Sequence, residues 1–509
     1  MRYKPSEKSR MKHSIRIIGL LAVLGCLLTG CMVGPAYKTP KAPVANQWLE
    51  FEDERLKTTS PVEPRWWKNA FQDAVLDQLI EEALAGNLTL RSAGLRVLQA
   101  RQILLIARGN LFPQDQFIGG SAAVVDPGAG VGSSEAYNLN FNLTWEIDVW
   151  GRFRLQVASA SAALDASLAS YDGVLLTLVS DVAQTYLLIR TTEQRLAVTR
   201  ENVNYQEESV RISRAKFDAG EISSLDVEQG QTLLSSTRAS VAVLEQSLRQ
   251  FKIALAVLLG RLPQDLTARL GKPGAIPEVS PVLTVGMPQD LIRRRPDIRT
   301  AERNLAAQGA QIGVAVSDLY PQLALSGVIG PVVNTASGQV FADLFNSGSV
   351  AYSFGGFLRW NVFNYGRIEN NIRLQDAIFQ QLLEDYRRTV LQAQGEVENA
   401  LVAFFQALLQ LKELKQAADA AQRAADVSME QYMEGLVDYN TVVSTLRTLA
   451  SQQDQLASIQ GSVAVNLVGV YRSLGGGWEI RQSDTAGDLI PEETKEEMRE
   501  RGTYWPRKN

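Results

Sequence analysis

The sequence predicts an α+β membrane protein built from a duplicated unit. It is expected to assemble as a trimeric, twelve-stranded outer-membrane β-barrel continued by a long periplasmic α-helical barrel. Three observations lead there: a large internal duplication, proline-free stretches with a seven-residue apolar repeat, and strands that alternate apolar and polar side chains.

The duplication is visible by eye. Trp145-Glu146-Ile147 returns 215 residues later as Trp360-Asn361-Val362, and Trp150-Gly151-Arg152 returns as Tyr365-Gly366-Arg367. Tyr171 matches Tyr386, Gly220 matches Gly435, and Leu259-Gly260 matches Leu474-Gly475. Upstream the offset is 208, from Leu111-Phe112-Pro113-Gln114 to Leu319-Tyr320-Pro321-Gln322. The change in offset means that a loop between these landmarks is seven residues longer in the second copy, and such insertions collect in exposed loops.

Residues 1–30 form a signal peptide. Six Lys/Arg precede the apolar run Ile17–Leu28, which is too short to span a bilayer, where roughly 20 residues are needed. The run ends Leu28-Thr29-Gly30-Cys31, a pattern that resembles a bacterial lipobox and makes Cys31 the lipidated first residue of the mature chain. The expected modification is diacylglycerol plus an N-acyl chain. Met32 is not the aspartate that favours retention at the inner membrane in such lipoproteins, so the chain is expected in the outer membrane.

Residues 31–66 make a lipidated N-terminal segment. The first repeat covers 67–265: a shorter helical segment around 70–109, a strand pair within 116–148 and a long helical hairpin over 152–260. A linker, 266–286, leads to the second repeat, 287–478, with its helical segment at 288–317, strand pair within 322–363 and hairpin over 366–473. The charged tail 479–509 reads as a solvated or frayed extension.

In the strand region, Tyr137, Leu139, Phe141, Leu143, Trp145 and Ile147 alternate with Asn138, Asn140, Asn142, Thr144, Glu146 and Asp148. The copy alternates Tyr352, Phe354, Leu358, Trp360 and Val362 with Ser353, Arg359 and Asn361. An apolar face, an amide-lined face and terminal aromatics suit a transmembrane β-strand of about 9–11 residues. The expected lumen-facing positions are Asn140, Asn142, Glu146, Asp148, Arg359 and Asn361.

No proline occurs between Arg152 and Ala219, and Val182, Ile189, Leu196, Val203, Val210 and Phe217 recur every seven residues. The copy repeats this with Val397, Phe404, Leu411, Ala418, Ala425 and Tyr432. Such a helix would be about 100 Å long at roughly 1.5 Å per residue. Gly220 and Gly435 mark turns, where left-handed geometry suits glycine.

Composition removes several chemistries. Without residues 1–30 the chain keeps 45 basic and 54 acidic residues, a net charge near −9, and loses its only histidine, His13. One cysteine remains, consumed by lipid. Ser-His or Cys-His catalysis, a His-containing zinc site and an intrachain disulfide are excluded, and the acidic balance argues against nucleic acid. Gly128, Gly130 and Gly132 join two strands without a following helix, which is not a dinucleotide loop, and no phosphate-binding P-loop occurs. No enzyme activity and no cofactor are expected. Arg293-Arg294-Arg295-Pro296-Asp297 reads as a helix start, with Pro296 in the first turn and Asp297 near the dipole.

One chain offers four strands, and four cannot close a barrel while lipid tolerates no open edge. Two chains would give a side-chain-filled interior and three a water-wide one. The amide-lined face wants water, so a cyclic homotrimer is the economical solution.

The lipobox, the two Leu-x-Pro-Gln motifs, Arg295-Pro296-Asp297-Ile298 with Ala301-Glu302, the Gly220 and Gly435 turns and Leu474-Gly475-Gly476-Gly477-Trp478 resemble the TolC-like outer-membrane efflux factors, in their NodT-type lipoprotein branch. The resemblance covers about residues 31–478. It implies a passive exit duct for drugs, metals or other small molecules. It also implies docking to a periplasmic membrane-fusion adaptor and service to an inner-membrane transporter, commonly of the resistance-nodulation-division type. A trimeric coiled-coil adhesin or spacer lipoprotein is the rival reading; it would not need two pairs of alternating strands. In lipoprotein relatives a leucine and an aspartate four residues on narrow the periplasmic end after the second glycine turn. Here Asn440 and Ser444 occupy those positions, so that acidic ring is missing; Asp438 or Asp226 could supply charge to the gate instead.

Overall fold

The computed structural model describes residues 32–57, 63–126, 128, 132–263, 266–290, 294–481, 488–502 and 504–505. The expected signal peptide, residues 1–30, and the expected lipidation site, Cys31, lie outside the described residues. The chain divides into two compact units. One gathers the N-terminal residues up to 41 with 97–167 and 300–386; the other gathers 42–96, 168–299 and 387–509.

The first unit holds a four-stranded antiparallel sheet, ordered β1 (Asp115–Val125), β2 (Ser134–Ile147), β3 (Gln322–Asn334) and β4 (Val350–Arg359). The β1–β2 connection spans 126–133 and the β3–β4 connection 335–349. The second is longer by the seven residues that the repeat offsets require, and it folds into three short 3-10 turns. β4 stops at Arg359, earlier than the alternation suggests. Trp360 donates its indole N–H to the Leu319 carbonyl at 3.0 Å, and its own carbonyl accepts the Val362 N–H at 3.1 Å. Those bonds turn the chain out of the ladder, so Trp360, Asn361 and Val362 are not strand residues.

The helical segment expected over 70–109 is three helices: α1 (Trp66–Phe71), α2 (Ala74–Gly86) and α3 (Leu88–Gly109). The breaks have local causes. Asp73 accepts the Val75 and Leu76 amides to cap α2, and Asn87 accepts the Leu90 amide to start α3. In the second copy, 288–290 is only a 3-10 turn, and the helix α6 (Pro296–Ser317) begins at the predicted proline with Asp297 in its first turn. Arg295, just before it, is buried and donates to the Ser473 carbonyl and to the Asp297 and Glu396 carboxylates.

The hairpins are α4 (Arg152–Asp218) with α5 (Ser224–Leu258) and α7 (Arg367–Met433) with α8 (Tyr439–Ser473). All four of these helices close the same way. A glycine with φ between 70° and 78° (Gly220, Gly260, Gly435, Gly475) follows the last turn, and the next amide bonds back five residues, as in Glu221 N–H to Lys216 carbonyl at 2.9 Å. That pair of bonds satisfies carbonyls the helix leaves open, and it needs a residue free to adopt the left-handed region.

The second unit contains the greater part of both hairpins. Ala421, Ala425, Tyr432, Tyr439, Val442, Val443, Leu446 and Leu449 form one apolar cluster with Leu233. Along α4 the stripe differs from the expected one. Below Leu196 only Val210 of the expected positions is buried, with Val203 half-buried and Phe217 exposed; the other buried positions are Thr199, Asn202, Gln206, Ser209 and Ser213. The helix keeps a three-four spacing but buries hydroxyls and amides.

The described residues of the tail are packed. Glu492–Glu500 is a helix, α9, and Leu489, Ile490 and Met498 are buried. The Leu489 carbonyl lies so close to Gly94 of α3 that any side chain at 94 would collide with it. Glu493 faces Arg91 at 3.8 Å. Three apolar anchors hidden among charges outweigh the solvated appearance of the sequence.

Candidate conducting face and hairpin tips

Residues paired directly across an antiparallel ladder point to the same side of the sheet, so the register assigns both faces. Tyr137, Phe141, Leu143 and Trp145 pair with Val333, Ile329, Gly327 and Leu325, and Ile329 and Gly327 pair in turn with Tyr352 and Phe354. This is one continuous apolar face, and it is exposed in the protomer at Ile118, Phe141, Ile329, Tyr352 and Phe354.

The opposite face carries Asn138, Asn142, Thr144 and Glu146, paired with Val332, Val328, Ser326 and Ala324. Arg359 pairs with Gln322 and shares that face. Asn138 donates to Ser121 Oγ, Asn140 to Asn138 Oδ1 at 3.2 Å, and Asn142 to the Asn140 carbonyl at 3.2 Å, so the amides form a ladder along β2. Gly330 lies opposite Asn140; a side chain there would meet Asn140 and the Leu139 carbonyl, which makes glycine a requirement of the close approach.

Two expected lumen positions are placed otherwise. Asp148 lies beyond β2 and accepts the Phe153 and Arg154 amides at 3.1 and 3.0 Å, together with the Arg154 guanidinium. It caps the N-terminus of α4, where a negative charge also suits the helix dipole. Asn361 lies beyond β4. Glu146 remains on the polar face, 3.8 Å from Arg152, which stands equally close to Asp318. The register adds two residues the alternation had not singled out: Phe117 pairs with Asn142 and Phe357 with Ala324, which puts both rings on the polar face. Only strand pairing reveals this, because a lone aromatic has no periodicity.

At the hairpin tips, Asn440 and Ser444 are both exposed on one side of α8, away from the buried Tyr439, Val442, Val443 and Leu446. Both alternative carboxylates serve as helix caps. Asp438 caps α8, accepting the Thr441 hydroxyl at 2.6 Å and amide at 2.9 Å, which holds its pKa below the usual value. Asp226 completes a capping box with Ser223 at the start of α5.

The seam between the hairpins also carries polar contacts. Arg195 grips Asp454 through two hydrogen bonds of 2.8 and 3.0 Å, Asn202 donates to Gln453, which donates to Gln422 within the second hairpin, and Ser209 meets the Tyr439 hydroxyl. A cavity of about 480 Å³ opens beside this seam, lined by Thr199, Ser236, Ser240, Val243, Arg447 and Ser451 among others. Lys216 donates to the Tyr432 carbonyl and sits 4.7 Å from its ring centre. Among the described residues no group of His, Cys, Asp and Glu is arranged to hold a metal ion.

Comparison with known proteins agrees with this architecture. The family model described as "Outer membrane efflux protein" matches residues 79–261 and 287–476, once per repeat. Nodulation protein T of Rhizobium leguminosarum bv. viciae is 30% identical over 467 residues, 92% of this chain and 94% of that one. The pyoverdine export outer membrane protein OpmQ of Pseudomonas aeruginosa is 32% identical over 481 residues, covering 92% and 98%. Among solved structures, the outer-membrane channel OprN superposes with a TM-score of 0.83 at 32% identity, covering 88% of this chain and 100% of that one. The open-state MtrE outer membrane channel of Neisseria gonorrhoeae gives 0.78 at 26% identity, covering 88% and 99%. The fold is that of these outer-membrane channels, with the family's domain present twice in one polypeptide, and the chain belongs to the outer membrane efflux protein family.

Proposed function

We propose that the protein is the exit duct of a tripartite efflux pump. It would pass drugs or other small molecules passively from an inner-membrane transporter, of the resistance-nodulation-division type, and its periplasmic adaptor to the exterior. The observation that carries this reading is the sheet: one face is apolar, the other is lined mostly by amides and small residues, and among the described residues no strand pairs with the outer edges of β1 and β4. In a bilayer an unpaired strand edge costs several kcal/mol per polar group, as order of magnitude. The edges therefore close on further copies, β4 of one against β1 of the next, and three copies make a twelve-stranded ring wide enough for water. A coiled-coil spacer lipoprotein has no use for such a sheet. Lipid on Cys31 adds a second hold on the outer membrane, with about 0.8 kcal/mol for each buried methylene.

Single-channel recording tests the reading. Purified protein added to a planar bilayer should give discrete, long-lived conductance steps. Protein that inserts as a trimer yet never conducts would remove the duct assignment.

A further inference from the structure

Phe117 and Phe357 are out of character for the face they occupy. Phe117 pairs with Asn142, and Phe357 pairs with Ala324, which pairs with Glu146, so the register puts both on the polar side. For Phe117 the side chain itself confirms the side. Its ring edge lies 3.2 Å from the point where a Gly119 side chain would begin, and the Asn142 amide nitrogen is 3.6 Å from the same point. The two rings are 56% and 50% exposed, so the protomer does not use them as core. Elsewhere on this face the large side chains are polar, and the apolar ones are no bigger than valine.

Their placement is symmetrical. Phe117 is the third residue from the end of β1 that follows α3, and Phe357 the third from the end of β4 that leads to α7. Each has a glycine two residues further into its strand on the same face, Gly119 and Gly355, which leaves room for a ring to lie along the backbone. Both sit on edge strands, at the same end of the sheet. When copies close edge to edge, the neighbour of Phe357 across the joint is the strand that carries Phe117.

We propose that Phe117 and Phe357 form an aromatic collar on the lumenal wall, one pair at each joint between copies and six rings in a trimer, against which solutes with an aromatic or alkyl face rest during passage. The inference rests on the duct reading and adds the contact residues to it. Aromatic rings prefer offset or edge-on partners at about 4.5–7 Å, a distance open to residues diagonal across neighbouring strands. Small hydrophilic ions would pass the collar without a contact to gain.

The experiment compares wild type, Phe117→Ser, Phe357→Ser and the double variant in planar bilayers, with tetraphenylphosphonium and tetramethylammonium as probes. Wild type should show current interruptions with tetraphenylphosphonium, and the double variant should shorten their dwell time at least threefold, leaving tetramethylammonium unaffected. An unchanged dwell time overturns the collar. Single cysteines give a second measure that does not require the serine variants to fold. A water-soluble thiol reagent should label Phe117→Cys and Phe357→Cys as it labels Asn142→Cys, and should spare Ile118→Cys and Leu358→Cys. Labelling at 142 but not at 117 and 357 sinks the collar and leaves the duct intact. A wild-type protein that does not conduct fails at the duct reading itself.

Discussion

Ser209 and Tyr439 share a hydrogen bond of 3.1 Å across 230 residues of sequence, and Gly230 is what lets the phenol reach. A side chain at 230 would run into the Tyr439 hydroxyl and lie 3.1 Å from Val210 Cγ2. Gly230→Ala should therefore destabilise by about 1–3 kcal/mol through overpacking, despite the helix propensity alanine brings. Tyr439→Phe should cost only about 1 kcal/mol. Thermal unfolding in detergent ranks the two; a neutral Gly230→Ala would mean that the tyrosine is not held there.

Tyr432 behaves differently from its neighbour Tyr439, 5.2 Å away. Its buried hydroxyl has no hydrogen-bond partner among the described residues, and burial pushes its pKa up to about 12. A native pKa above the unfolded value stabilises the fold below the ordinary tyrosine range, and that contribution is lost as pH rises toward about 12. Tyr432→Phe should be neutral or slightly stabilising at neutral pH, because it removes an unpaired buried donor. It should also reduce the alkaline loss of stability. Denaturation midpoints measured at neutral and alkaline pH check both; equal alkaline losses in the two proteins would contradict the assignment.

Asp172 is fully buried and receives Arg481 at 2.5 Å and Arg299 at 3.2 Å. Arg299 also lies 4.6 Å from the centre of the Trp478 ring. One carboxylate thus ties the start of α6 and the segment after Trp478 to α4. Asp172→Ala leaves two guanidinium groups facing a buried site and should cost about 3–5 kcal/mol. A shift of under about 1 kcal/mol in chemical denaturation would show that water replaces the pair.

Asn440 and Ser444 each appear three times in a trimer, so one substitution acts as a ring. Ser444→Asp should raise cation preference, and Asn440→Leu should narrow the closed aperture without blocking adaptor-driven opening. Reversal potentials under a salt gradient and closed-state conductance decide it. If both variants match wild type, the narrowest point lies elsewhere.

Cys31→Ser should abolish acylation while trimers still assemble, because the sheet itself engages the bilayer. Metabolic labelling with a radioactive fatty acid gives the answer directly; label persisting in the variant would move the lipid to another residue.

What the sequence determined by itself is local or repeated. Strand alternation, the break-free helices, the glycine turns and the seven-residue insertion were legible because each depends on neighbouring residues or on comparison of one copy with the other. Gly220 and Gly435 announced their turns because few other residues tolerate that backbone. The tertiary structure decided what depends on partners. The stripe from Thr199 to Ser213 is buried although it is polar, because α4 packs against both α5 and α8 and finds Gln453 and Tyr439 there. Asp148 left the strand pattern because the amides of Phe153 and Arg154 needed a cap. Leu489, Ile490 and Met498 are buried because they found a surface that composition does not show. Phe117 and Phe357 acquired a face only when pairing set their register, since a strand's alternation states that two sides exist but not which residues of the next strand share them.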